Sequence, residues 1–177
     1  MRVTSLSLAL IGASLSATGC ETPDEPVAAP VQEKKIGYDL RMLRPGEQKL
    51  DEQFDAMLAA AVAEGKRVAV LFSADWCQPC VRLEAELGNL QPASKIEDVR
   101  ILIVKEEDWR DVTRMGEFDK LRLRWSPAVG NFPLFVLLDE RGQQLEEMKK
   151  AIDRLKAEGI EPTVANWFSH PASASGA

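Results

Sequence analysis

Trp76-Cys77-Gln78-Pro79-Cys80 is the segment of this 177-residue chain whose residue types and spacing bear most directly on chemistry. Two cysteines separated by two residues at a helix start close into a small disulfide or open to a dithiol, and the positive end of the helix favours the thiolate of the first. On this reading Cys77 is the exposed nucleophile that attacks a partner's disulfide. Cys80, one turn on and more deeply placed, then resolves the mixed disulfide. Pro79 restricts the first helical turn. Metal binding is the competing use of such a pair. Zinc wants four ligands, yet the chain has three cysteines in all and one histidine, His170, so no metal site is expected. Thiolates suit Cu(I), but no Met or His cluster accompanies them. The single His also leaves no Ser-His or Cys-His arrangement except one routed through the tail. No cofactor is expected.

The elements around this segment must place it. Phe54, Met57, Leu58, Ala61 and Val62 follow helical spacing from Asp51, which stands where a cap would, and Gly65 falls at a left-handed C-terminal cap. Arg67 to Phe72 is an apolar run of the kind that forms a strand buried on both faces, and the cysteine pair follows it at once. Val81 to Leu87 reads as helix, stopping at Gly88-Asn89. Val99 to Val104 is a second buried-type strand. Glu106-Glu107-Asp108 reads as a solvated loop, and a helix is predicted from Asp111 to about Leu123 with Val112, Met115 and Phe118 inward. Leu134 to Leu138 is a third strand, closed by the turn Asp139-Glu140-Arg141-Gly142. From Gln143 to Glu158 a helical pattern (Leu145, Met148, Ile152, Leu155) competes with an edge strand near Gln144–Glu147, and the sequence leaves both open. Glu161-Pro162-Thr163 begins a last short helix through Trp167-Phe168. Helices alternating with buried strands predict a three-layer α/β sandwich: a central mixed sheet with helices on both faces. No internal repeat is visible.

The amino terminus reads as an address. Arg2 precedes a short apolar run, Thr4 to Ala17, that falls below the roughly 20 residues a spanning helix needs and ends in small residues before Cys20. Residues 1–19 are therefore expected to be a signal peptide. Residues 20–35, with Pro23, Pro26 and Pro30 among acids, are expected to be an extended tether reaching at most about 50 Å. Residues 36–168 form the folded domain, and 169–177 a disordered tail. Lys and Arg number 22 against 28 Asp and Glu, a formal net charge of −6 with no basic block, which argues against nucleic acid as a partner.

Phe72-Ser73-Ala74-Asp75-Trp76-Cys77-Gln78-Pro79-Cys80, with Phe132-Pro133 downstream, resembles the thioredoxin superfamily over roughly Ile36 to Phe168. The resemblance implies the thioredoxin fold and a redox-active pair. It also implies that Pro133 is in cis, facing the cysteines and presenting the backbone of Phe132 to a substrate chain, with Trp76, Gln78 and Pro79 lining the same surface. Gln78 replaces the glycine of the commonest thioredoxin sequence. Thioredoxins usually carry a buried Asp six residues before the first cysteine; that position here is Leu71. The carboxy-terminal domain of DsbD-like proteins shares the Ala-Asp-Trp-Cys start and has a Glu seven residues after the first cysteine, matched here by Glu84. Two helical turns beyond Cys77 and one beyond Cys80, Glu84 is a candidate for proton handling; an ordinary solvated helix glutamate is the alternative. Ala17-Thr18-Gly19-Cys20 is similar to the lipobox of bacterial lipoproteins, which implies lipidation of Cys20; a plain secreted protein with a free Cys20 is the alternative.

These readings converge on a membrane-anchored thiol-disulfide oxidoreductase of the bacterial envelope, facing the periplasm. Its expected partners are protein thiols and disulfides, with a membrane electron donor of the DsbD type. The direction of electron flow stays open. The alternative is a non-catalytic interaction module or Cu(I)-handling chaperone on the same fold.

Overall fold

The computed structural model describes residues 37–89, 93–127 and 130–172; the expected signal peptide, the tether and Cys20 lie outside them. Among the described residues no helix is long and apolar enough to cross a membrane. The chain runs β1 (Asp39–Leu43), α1 (Leu50–Ala63), β2 (Arg67–Ser73), α2 (Gln78–Leu87), β3 (Val99–Lys105), α3 (Glu106–Asp111), α4 (Met115–Arg122), β4 (Leu134–Leu138), β5 (Gln144–Glu147), α5 (Met148–Ala157) and α6 (Val164–Ser169). The strands form one sheet in the order β1-β3-β2-β4-β5, with β1, β3 and β2 parallel and β4 and β5 antiparallel.

The three predicted strands are mostly apolar because both faces of the sheet are covered; the cation inside β3, Arg100, is buried but paired with Asp39 at 2.8 Å and Glu64 at 2.7 Å. Alternation then sorts each strand between two cores. Ala69 and Leu71, with Ile101, Ile103, Phe135 and Leu137, pack under Leu83 and Leu87 of α2, Leu155 of α5 and Trp167 of α6. Val68, Val70 and Phe72 face the other way, with Leu102, Val104 and Val136, against Phe54 and Leu58 of α1 and Phe118 and Leu121 of α4. This is the expected three-layer arrangement. Trp109 and Trp167 are fully buried core residues, and Trp125 packs edge-on against Phe54 at 5.2 Å.

Four local expectations are corrected. Helix α1 begins at Leu50 rather than behind a capping Asp51: Lys49 is the cap residue, its N–H donates to Glu52 Oε2 at 3.3 Å, and Asp51 lies in the first turn. Helix α2 begins at Gln78, three residues before Val81, with Cys77 itself as its cap. Glu106-Glu107-Asp108 is the first turn of α3, where three carboxylates complement the positive helix end, and is not a loop. The single helix predicted from Asp111 is two short ones, broken at Thr113, whose φ of 60° is left-handed, so that Val112 turns out to solvent. The open question after Gln143 resolves in favour of both readings in succession, strand β5 and then helix α5.

Candidate functional site

Strand β2 is the centre of the sheet, and its last residue, Ser73, leads into the turn that carries the cysteines. The Cys77 N–H donates to the Ala74 carbonyl at 3.1 Å, closing the turn, and the Cys77 carbonyl accepts from Cys80 at 2.9 Å and Val81 at 3.1 Å, opening helix α2. Pro79 falls in the first helical turn, where a missing N–H costs nothing. Cys77 and Cys80 are joined in a disulfide with their Cα atoms 5.2 Å apart. The Cys80 N–H also lies 3.2 Å from Cys77 Sγ, so the helix end already points a donor at the sulfur that carries charge once the bond opens.

Two flanks enclose the disulfide. The first is aromatic. The peptide bond between Phe132 and Pro133 is cis, matching the expectation drawn from the thioredoxin resemblance. Register places the bond beside the cysteines: Leu134 of β4 pairs with Phe72, which sets Pro133 opposite Ser73. The Phe132 ring packs on the small cluster of Ala74, Cys77 and Cys80. Trp76 meets that ring edge-on at 5.5 Å, Phe118 stacks on it at 6.2 Å, and the buried Arg122 guanidinium lies 5.9 Å from its centre. Trp76 is 58% exposed, and its indole N–H donates to Glu106 Oε2 at 3.0 Å. Gln78 and Pro79 are exposed beside it.

The expectation that Cys77 is exposed is corrected. It is 4% exposed and Cys80 is wholly buried, because Phe132 and Ala74 close over the pair. The order of depth is as predicted, but in the disulfide form the nucleophile's sulfur sits under an aromatic side chain.

The second flank is polar. Leu71, where thioredoxins carry an acid, is fully buried among the apolar residues beneath α2. Glu84, one turn past Cys80, is engaged rather than merely solvated: the Ser73 hydroxyl donates to its Oε1, and Lys105 Nζ lies 3.2 Å from its Oε2. Lys105, the last residue of β3, also reaches Asp75 Oδ1 at 2.6 Å. The Asp75 carboxylate lifts the Lys105 ammonium above its ordinary range; partial burial opposes this and Glu84 adds to it. Asp75 is fixed in turn by its backbone N–H, which donates to Glu107 Oε1 at 3.0 Å.

Sequence reasoning found Trp76, Cys77, Gln78, Pro79, Cys80, Glu84, Phe132 and Pro133, and the structure gathers these around one turn. It missed Ser73, Asp75 and Lys105 on the polar flank and Phe118 and Arg122 behind Phe132. Lys105 carried the one available signal, a cation that closes the apolar run 101–104 of β3. His170 is exposed at the far end of α6, away from this turn. Among the described residues no group of three His, Cys, Asp or Glu side chains is placed to hold a metal ion.

A disulfide capping the first helix after the central strand, beside a cis-proline loop, on a β1-β3-β2-β4-β5 sheet, defines the thioredoxin fold. The family model of the thioredoxin-like domain matches residues 54–156, more than half of the chain, and the chain belongs to that family. Among solved structures it is similar to a disulphide isomerase from Xylella fastidiosa Temecula1, with 16% identity, a TM-score of 0.51, and coverage of 73% of this chain and 95% of that one. A poplar thioredoxin h matches at 18% identity and a TM-score of 0.43, covering 68% of this chain and 96% of the other. No curated protein matches the chain. Family membership and the Cys77–Cys80 disulfide together support thiol-disulfide oxidoreductase chemistry as the general class.

Proposed function

We propose that the protein is a thiol-disulfide oxidoreductase held at the bacterial envelope membrane through a lipidated Cys20 and exchanging the Cys77–Cys80 disulfide with partner proteins. The observation that carries this reading is the disulfide itself, closed at the helix α2 start with a backbone N–H on Cys77 Sγ and the Pro133 loop beside it. In the reducing direction the Cys77 thiolate attacks one sulfur of a partner disulfide and expels the other as a thiolate. Cys80, giving up its proton, then attacks Cys77 Sγ, releases the second partner sulfur and re-forms the Cys77–Cys80 bond. Two electrons have passed to the partner, and a dithiol donor at the membrane, of the DsbD type, returns them. In the oxidising direction each step reverses.

Glu84 is the group we assign to the Cys80 proton. It stands one turn from Cys80 on the same helix, which brings their Cβ atoms to about 6 Å. Phe132 and Pro133 form the groove wall for the partner chain, with Trp76, Gln78 and Pro79 as its floor. Insulin reduction with dithiothreitol as donor tests the exchange, and an equilibrium titration in glutathione buffers fixes the direction. A potential near thioredoxin's roughly −270 mV makes the protein a reductant; one near DsbA's roughly −120 mV makes it an oxidant or isomerase. Absence of turnover with a reversibly reducible pair would replace this reading with the non-catalytic interaction module. Radiolabelled palmitate incorporation that depends on Cys20 tests the anchor.

A further inference from the structure

Among the described residues the polar flank contains one cation set between two carboxylates that bracket the redox pair. Asp75 is two residues before Cys77, on the turn; Glu84 is one helical turn after Cys80. Both converge on Lys105 Nζ, at 2.6 Å and 3.2 Å. Lys105 belongs to neither the turn nor the helix. It arrives from the end of β3, where Ser73 of β2 is its register partner, and its side chain is about one-fifth exposed. Of the other charged groups near the turn, Glu106 accepts from Trp76 and pairs with Arg110 at 2.5 Å, Glu107 accepts from the Asp75 backbone through Oε1 while its buried Oε2 has no partner, and Arg82 is exposed on α2. Arg122 lies across the Phe132 ring on the aromatic flank.

We propose that Lys105 is a positioning residue for the exchange reaction, holding Asp75 and Glu84 in place and offsetting part of the field that these two carboxylates would otherwise direct at the Cys77 thiolate. The inference rests on the exchange function proposed above and deepens it. Opening the disulfide with a donor dithiol oxidises the donor to its own disulfide and leaves two thiols here, of which Cys77 loses its proton to become the nucleophile. A like charge within a few ångströms disfavours that ionisation, and an opposite charge favours it. With Lys105 in place the bracket totals one net negative charge; without it, two. At the effective dielectric of about 20 that applies near a protein surface, one uncompensated charge about 10 Å from the sulfur is equivalent to about one pH unit.

The test is the thiolate absorbance of the detergent-solubilised full-length protein, taken as the difference between reduced and oxidised forms across pH so that any contribution from Cys20 cancels. Lys105→Met is expected to raise the Cys77 midpoint by about one pH unit, and Lys105→Arg to recover at least half of that shift. Asp75→Asn with Glu84→Gln, leaving the ammonium uncompensated, is expected to move the midpoint the opposite way. A midpoint for folded Lys105→Met within 0.2 pH unit of wild type overturns the inference, as does failure of Arg to restore it. Should Lys105→Met not fold, the Asp75/Glu84 double variant decides alone: a lowered midpoint supports the role and an unmoved one overturns it. Because the titration needs no partner protein, it is independent of insulin turnover. A protein that titrates as expected yet turns over no insulin refutes the exchange reading, whereas one that turns over with an unmoved midpoint refutes only the role of Lys105.

Discussion

The two flanks of the Cys77–Cys80 disulfide are built from opposite materials. On one side Phe132, backed by Phe118 and Arg122 and met edge-on by Trp76, closes a dry cover over the sulfurs. On the other, Ser73, Glu84, Lys105 and Asp75 form a chain of hydrogen-bonded and charged groups that is partly open to water. The difference separates two tasks that thiol exchange imposes. The sulfurs must be shielded from adventitious small thiols while a protein partner is admitted, which suits a packed ring that a partner chain displaces. A proton must leave Cys80 and charge must develop on Cys77, which needs ionisable groups of both signs within reach.

Removing a sulfur breaks both flanks at their meeting point and has the largest effect. Cys77→Ser is expected to abolish insulin reduction outright. Cys80→Ser is expected to retain the first step and accumulate a mixed disulfide with the partner, visible as a gel shift that dithiothreitol reverses. Equal and complete inertness of the two variants would mean that the order of attack proposed here is wrong.

The aromatic flank is broken next by Phe132→Ala. Removing a largely buried ring leaves a cavity and should cost about 2–3 kcal/mol of stability, read from denaturant unfolding. The same change uncovers Cys77, so the rate of disulfide reduction by dithiothreitol is expected to rise about tenfold, while the less bulky conservative change Phe132→Leu stays near wild type. A destabilised variant whose small-thiol rate does not rise would reduce Phe132 to a packing residue.

On the polar flank, Glu84→Gln keeps the shape and most of the hydrogen bonding to Ser73 but removes the base. The resolution step is expected to slow by several-fold to about tenfold, a small share of what general base catalysis can contribute, and to lose the pH dependence that a carboxylate confers. Superimposable pH profiles for wild type and variant would leave Glu84 a structural partner of Lys105.

The same contrast explains what the sequence disclosed. Residues that act through local spacing were legible: the cysteine pair, Pro79 and Glu84 share one helix start, and Phe132-Pro133 stands just before a strand whose apolar run marks it. The central strands β2, β3 and β4 were equally plain, because burial on both faces writes a short, mostly apolar word, broken only in β3 by Arg100. Groups that act through tertiary contact were not. Lys105 meets Asp75 only because β2 and β3 are adjacent in the sheet, and nothing in the spacing of thirty residues between them says so. The break at Thr113 was hidden because Val112 and Met115 fit a helical period that the chain does not continue. Strand β5 was obscured for a chemical reason: its inward residue is Glu146 and its outward one is Leu145, 55% exposed, the reverse of an ordinary edge pattern.

That inversion supplies the smallest test and a control for the comparison. Glu146 is 7% exposed and accepts from Arg154 Nε and Nη2 and from the Trp167 indole, each at 2.9 Å, tying β5 to α5 and α6 well away from the disulfide. Burial pushes its carboxyl up, but the Arg154 guanidinium and the Trp167 N–H outweigh burial and hold it below the ordinary carboxylate range. A depressed folded value means that the ionised group contributes stability above the unfolded value of about 4.3, and that this contribution is lost as the pH falls through the lower folded value. Glu146→Gln should therefore cost about 1–2 kcal/mol near neutral pH and flatten the acid limb of the stability profile. Its insulin turnover and its Cys77 titration should match wild type. A Glu146→Gln variant that shifted the thiolate midpoint as far as Lys105→Met does would show that the sulfurs respond to loosening of the domain in general. A shift confined to Lys105, Asp75 and Glu84 locates the control of the thiolate in the polar flank, where three charged groups on three different elements meet beside the one bond that reacts.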